Sequence, residues 1–266
     1  MDPETWLVDG PKVIDVEGVR RLKVALLGGQ VDIVGHDEPG ARVEVHSVRG
    51  RELKVRFSDG MLEVDHPQVR WDDWLETFRS FTTTASADVS IMVPRAVALK
   101  VGVVGANALI SGLSTDATIS AVNGGLVVDG VRGDLRLNSV NGEITARGHV
   151  GRLTATTVSG DVTVSGEIPA FVADSVSGEV LADLAGPADS VRVNTVSGAV
   201  TLRLDADLAA VYSVNSAGGR VQVDDAPISG LRGRYTAESG APGDRRVDVR
   251  VNTVSGAVSI LHAVRA

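Results

Sequence analysis

The feature that most limits what this chain can fold into is a repeat of eighteen residues. Leu135-Arg-Leu-Asn-Ser-Val140 runs into Asn141-Gly-Glu-Ile-Thr-Ala146, and eighteen residues on, Leu153-Thr-Ala-Thr-Thr-Val158 runs into Ser159-Gly-Asp-Val-Thr-Val164. Phe171–Val176 with Ser177–Ala182, Val191–Val196 with Ser197–Leu202, and Val249–Val254 with Ser255–Ile260 keep the pattern. Ala117–Val128 also fits it, and Leu99–Ile110 fits more loosely. Anchoring valines fall at 104, 122, 140, 158, 176, 196, 214 and 254, with spacings of 18, 18, 18, 18, 20, 18 and 40. Self-similarity of this kind marks a solenoid, whose units cannot bury an apolar face alone and are stable only against their neighbours.

Each period divides into three sixes, such as 135–140, 141–146 and 147–152. Six residues hold a short strand and a corner, so the expected coil has three sides. Alternation assigns the faces. Leu135, Leu137 and Ser139 point inward, with Arg136 and Asn138 outward; then Gly142, Ile144 and Ala146 point inward, with Glu143 and Thr145 outward. Stacking places Ser139, Thr157, Ser175, Thr195 and Thr253 in one inward hydroxyl column. Gly142, Gly160, Gly178, Gly198 and Gly256 line the corner beside it, where glycine allows positive φ or a close backbone approach. The third side varies in length: Asp183–Ser190 holds eight residues and accounts for the spacing of 20. A larger interruption spans 224–246, where Gly230, Gly233, Gly240, Pro242 and Gly243 break the pattern. It reads as a loop-and-hairpin insertion before the last coil.

Solenoid ends need covers, because open strand edges invite aggregation. Residues 1–98 read as a β-rich N-terminal region that caps and continues the repeats of 99–266, with alternating segments such as Leu22–Leu26, Arg42–His46 and Leu53–Phe57. Glu38-Pro39-Gly40 and Ser58-Asp59-Gly60 read as turns, and Leu26-Leu-Gly-Gly-Gln30 as a hairpin. The exception is 71–81, where Trp71, Trp74, Leu75 and Phe78 have the spacing of a short amphipathic helix. Trp71, Trp74, Phe78 and Phe81 are the candidate partner-binding residues, against a plainer role as a lid.

Composition narrows the function classes. Of 266 residues, 43% are hydrophobic but only 3% aromatic, so the core is built from Val, Leu, Ile and Ala. With 26 basic against 34 acidic side chains, a nucleic-acid footprint is not expected. There is no cysteine, which removes thiolate chemistry, disulfides and Cys-ligated metals. No apolar run reaches the length of a membrane span, and Met1-Asp2-Pro3-Glu4 lacks the features of a secretory signal. A cytoplasmic location is the expectation.

The recurring Thr-Val-Ser-Gly-x-Val units at 157–162, 195–200 and 253–258, followed back through a Val93-Pro94 junction to a β N-terminal region, carry a resemblance. The chain resembles a bacterial family of β-strand-repeat proteins of unknown function, often labelled adhesins. That resemblance implies a β-solenoid over nearly the whole chain, with some relatives linked to envelope stress, and it brings no catalytic residues.

Parallel β-helices that cleave polysaccharides need clustered carboxylates. The candidates are Asp205, Asp207, Asp224 and Asp225, with Asp205 and Asp207 on one strand face. A hexapeptide-type acyltransferase needs a catalytic histidine, and His149, read as a solvent-facing residue of the third side, is the single one among the regular coils. No pair of histidines has metal-ligand spacing. The expectation is therefore an all-β parallel solenoid without cofactor or metal. It acts as a non-catalytic scaffold or binding module toward a protein partner or itself. The alternative is a carbohydrate-binding or carbohydrate-active protein using the acids near 205–225.

Overall fold

Short segments that alternate β-branched and polar residues favour strands over helices, and strands are what form. A computed structural model describes residues 3–66, 85–224, 226–228, 233–240 and 246–263. Among these are twenty-four strands and no helix, in the mostly parallel arrangement of a β-solenoid. They gather into two compact units, Met1–Gly133 and Asp134–Ala266. The first coils, from residue 99, thus share a unit with the N-terminal region.

The first unit holds β1 (Glu4–Val8), β2 (Lys12–Glu17), β3 (Arg21–His36), β4 (Gly40–Arg49), β5 (Leu53–Ser58), β6 (Met61–Asp65), β7 (Ser86–Pro94), β8 (Ala98–Ser111), β9 (Ala117–Ala121) and β10 (Leu126–Asp129). The long strand β3 organises it. One edge pairs in parallel with β8; the other pairs in parallel with β6 over Arg21–Ala25 and with β7 over Gly29–His36. The antiparallel series β2–β4–β7 and β1–β5–β6 flank these contacts. Leu26–Gln30 is not a hairpin but the interior of β3. Gly29 has φ +102, and a Cβ there would lie 2.1 Å from the Ala87 carbonyl oxygen. The two glycines lie where β3 changes partners from β6 to β7, and the lack of a side chain admits the Ala85–Ala87 backbone without ending the strand.

The second unit holds β11 (Leu135–Ser139), β12 (Ile144–Val150), β13 (Leu153–Thr157), β14 (Val162–Glu167), β15 (Ala170–Ser175), β16 (Val180–Leu184), β17 (Ser190–Thr195), β18 (Val200–Leu204), β19 (Ala209–Ser216), β20 (Val221–Val223), β21 (Ala226–Ile228), β22 (Gly233–Ser239), β23 (Arg246–Thr253) and β24 (Val258–His262). They make two parallel ladders. One runs β11–β13–β15–β17–β23–β19, and the other β12–β14–β16–β18–β24–β20. The register is the one the repeat demands: Leu135 lies on Leu153, Leu153 on Phe171, Phe171 on Val191. Most of the third side is connecting chain, apart from short pairings of the kind His149–Gly166.

The core of this unit is columns of side chains. Leu135, Leu153, Phe171, Val191, Val249 and Tyr212 form one buried column; Ile144, Val162, Val180, Val200, Val258 and Val221 form another on the second ladder. A buried Val or Leu contributes about 1.5–3 kcal/mol, and each gains it only from the coils above and below. Thr145, expected on the outward face, is nonetheless buried, and its hydroxyl donates to Glu143 Oε1 at 3.2 Å. Val214, expected at a corner, is buried and pairs with Val251. The corner of that coil is Ser216-Ala217-Gly218-Gly219, in which alanine stands where the other coils have valine. The 224–246 interruption supplies β21 and β22, which pair antiparallel with β20 and β19 and cover the edge of each ladder.

Candidate functional site

The recurring corner is built from four residues with separate tasks. The first, a Ser or Thr, turns its hydroxyl inward and accepts the backbone N–H of the glycine three residues on. Ser139, Thr157, Ser175, Thr195, Thr253 and Ser216 do so at 2.9–3.1 Å. The third, a serine, uses its N–H and Oγ–H to reach the preceding coil's valine carbonyl: Ser177 bonds Val158, Ser197 bonds Val176 and Ser255 bonds Val196. The fourth, glycine, sits against the glycine of the coil before it. A Cβ on Gly178 would lie 1.9 Å from the Gly160 carbonyl oxygen, and one on Gly198 would lie 1.8 Å from that of Gly178. Close approach, not positive φ, is therefore why this column is glycine.

The second residue is the one the fold does not explain. Val158, Val176, Val196 and Val254 are 47%, 48%, 47% and 54% exposed. The coils stack β13, β15, β17, β23, so these side chains stand side by side as a ridge at the strand spacing of about 4.8 Å. Scattered exposed apolar residues are ordinary, but a contiguous row of them is not.

Beside the ridge runs a ladder of amides. Arg234 Nε donates to Asn215 Oδ1 at 3.1 Å, and Asn215 Nδ2 to Asn252 Oδ1 at 2.6 Å. Asn252 Nδ2 donates to Asn194 Oδ1 at 2.7 Å, and Asn194 Nδ2 to Asp174 Oδ1 at 2.7 Å. All donors point the same way, from a guanidinium at one end to a carboxylate at the other, the arrangement in which successive bonds polarise one another. Ridge and ladder border an open groove of about 410 Å³.

A second polar cluster sits where the last coil meets its neighbours. The His262 N–H donates to Asp224 Oδ1 at 2.9 Å, and His262 Nδ1 lies 3.0 and 3.1 Å from the two carboxylate oxygens. His262 Nε2 lies 3.2 Å from the Tyr212 hydroxyl and 3.1 Å from the Leu208 carbonyl. Tyr212 Oη also meets Ser239 Oγ at 3.2 Å, and burial pushes its phenol above the usual range. Asp224 takes φ 50 to reach the ring. These contacts clasp β24 to β19, β22 and the turn after β20.

The acidic candidates are thereby placed. Asp205 and Asp207 lie in the turn after β18, not on a strand face, and the Asp205 carboxylate accepts from the Gly186 and Asp207 N–H groups. Asp224 belongs to the clasp. Asp225 lies outside the described residues, as do Trp71, Trp74, Phe78 and Phe81. Among the described residues no group of three metal-ligating side chains occurs, and no helix is long and apolar enough to cross a membrane. His149 is fully buried rather than solvent-facing, with Nε2 3.3 Å from the Arg152 carbonyl. Sequence reasoning missed the ridge and the clasp. The ridge was visible as a recurring valine directly after an inward hydroxyl, where alternation turns the next side chain outward. The clasp joins residues 50 positions apart and left no local signal.

The Toastrack DUF4097 family model matches residues 29–261. No curated protein matches the chain. Among solved structures, the chain is similar to a putative lipid binding protein from Parabacteroides distasonis, at 13% identity and TM-score 0.49, over 98% of this chain and 97% of that one. It is similar to a putative adhesin from Parabacteroides merdae, at 12% identity and TM-score 0.45, over 97% and 96%. A putative cell adhesion protein from Clostridium sporogenes matches at 15% identity and TM-score 0.33, over 95% and 100%.

Proposed function

The chain belongs to the Toastrack DUF4097 family, and we propose that it works as a non-catalytic binding module whose contact surface is the valine ridge of its second unit. The observation that carries this reading is the recurrence, coil after coil, of a valine left half-exposed at the corner. Serine or asparagine would suit such a corner better, so the apolar row has its use outside the fold.

The partner that fits is another stacked-β surface, first of all a second copy. Only such a surface repeats at the spacing of the ridge, so that each valine finds an equivalent position opposite. Laid antiparallel, two ridges set Val176 opposite Val196 and Val158 opposite Val254, so that all four exposed valines of each copy are covered. That arrangement is an isologous two-fold contact, the commonest form of homodimer.

Sedimentation velocity over a range of protein concentrations tests the proposal. The wild type is expected to shift from monomer to dimer, and Val176→Asp with Val196→Asp to stay monomeric at every concentration while keeping its far-ultraviolet spectrum. A wild type that sediments as a monomer throughout, or a double variant that dimerises as well as the wild type, contradicts it.

A further inference from the structure

In one place the order of strands in space departs from their order in the chain. The coil of β19 and β20 follows that of β17 and β18 in sequence, but the two do not touch as ladder neighbours. The last coil, β23 and β24, lies between them: β23 pairs with β17 on one side and β19 on the other, and β24 pairs with β18 and β20. It is a strand pair inserted into a slot.

The sequence of the insert matches the slot closely. Residues 191–200 and 249–258 both read Val-Arg-Val-Asn-Thr-Val-Ser-Gly-Ala-Val. They stack in register, each residue on its own duplicate, from Val191 on Val249 to Val200 on Val258. The opposite wall has the same inward pattern, since Tyr212, Val214 and Ser216 also lie on Val249, Val251 and Thr253. The two walls could therefore close on each other with every inward residue still inward. What holds the insert, besides backbone bonds, is side-chain contact to the walls: Asn252 with Asn194 and Asn215, and the His262 clasp with Asp224 and Tyr212.

We infer that the coil Arg246–His262 is an exchangeable insert, and that the slot of one copy accepts the same coil from a second copy. The exchanged dimer keeps every bond of the closed monomer and changes only which chain supplies the coil, the condition under which swapping costs little. The clasp acts as the latch, because its partners lie on the walls and its histidine on the insert. This dimer uses backbone edges inside the stack and does not depend on the ridge.

The chain has no cysteine, so a single introduced pair reports the exchange without background. Arg192 and Arg250 are exposed neighbours in register. Arg192→Cys and Arg250→Cys chains of different mass, each also carrying Val176→Asp and Val196→Asp to silence the ridge, are mixed, warmed below the unfolding midpoint, cooled and oxidised. A disulfide between residue 192 of one chain and 250 of the other is expected. It should form roughly tenfold faster when both chains carry His262→Ala, which removes the latch's charge-assisted hydrogen bond. The Arg192→Cys/Arg250→Cys double variant should close the same bridge within one chain. Full bridging within the double variant, with no 192–250 bridge in the mixture at any temperature below unfolding, would overturn the inference. So would mixed bridging at the same rate with and without His262.

Discussion

The hydroxyl at the end of each first-ladder strand of the second unit accepts the N–H of the glycine three residues on. Thr195→Val keeps the shape and removes the acceptor, leaving the Gly198 N–H without its bond at 3.1 Å. A buried donor left unmade costs about 1–3 kcal/mol, so chemical denaturation should show a loss of that size with Thr195→Ser near wild type. His66 makes a second residue-scale prediction. Burial first, and the Arg51 guanidinium second, lower its pKa to about 4 from the ordinary 6.5. The ring is neutral in the fold, accepting the Leu27 N–H at 3.4 Å. The unfolded chain binds a proton at higher pH than the folded one does. The stability this lends is therefore complete above about pH 6.5 and is lost as pH falls toward 4, by about 3 kcal/mol. Unfolding free energies of wild type and His66→Leu, measured across that window, should change relative to each other by this amount. The hydroxyl and glycine columns were legible in the sequence, since each is one residue type returning every eighteen positions. Ser216-Ala217-Gly218-Gly219 was not read as a corner because it keeps the hydroxyl and the last glycine but lacks the valine. Val214-Asn215-Ser216, which matches Val193-Asn194-Thr195 with serine for threonine, was the signal for its register.

At the scale of strands and coils, stability passes between neighbours. Phe171 is the largest side chain of its column apart from Tyr212 and is fully buried between Leu153 and Val191. Phe171→Ala should cost about 3–5 kcal/mol. Because coils depend on those beside them, hydrogen exchange should quicken most in 153–157 and 190–195. A uniform rise across the second unit would mean that the unit opens as a whole rather than coil by coil. Element type and most register followed from alternation and period alone. The position of the last coil did not. Two identical ten-residue segments state that each can lie on the other, yet chain order is silent about a slot opened between coils that are consecutive in sequence. The change of partners along β3 was hidden for a related reason. Gly28-Gly29 serves equally well in a turn or at a close approach, and only the carbonyl of Ala87 decides between them.

At the scale of the whole molecule, the row of corner valines is the surface on which two copies are proposed to meet. If two copies meet ridge to ridge and antiparallel, the two-fold axis passes between the second and third valines, so Val176 of one copy faces Val196 of the other and Val158 faces Val254. The most direct measurement is disulfide formation between Val176→Cys and Val196→Cys chains, which otherwise have no cysteine. Under mild oxidation at concentrations where the wild type self-associates, an equimolar mixture of the two should convert to covalent dimer, and a mixture in which a cysteine at exposed Leu181, on the second ladder, replaces the one at 196 should not. Equal and slow bridging in both mixtures would contradict the claim that the valine ridge is the contact surface.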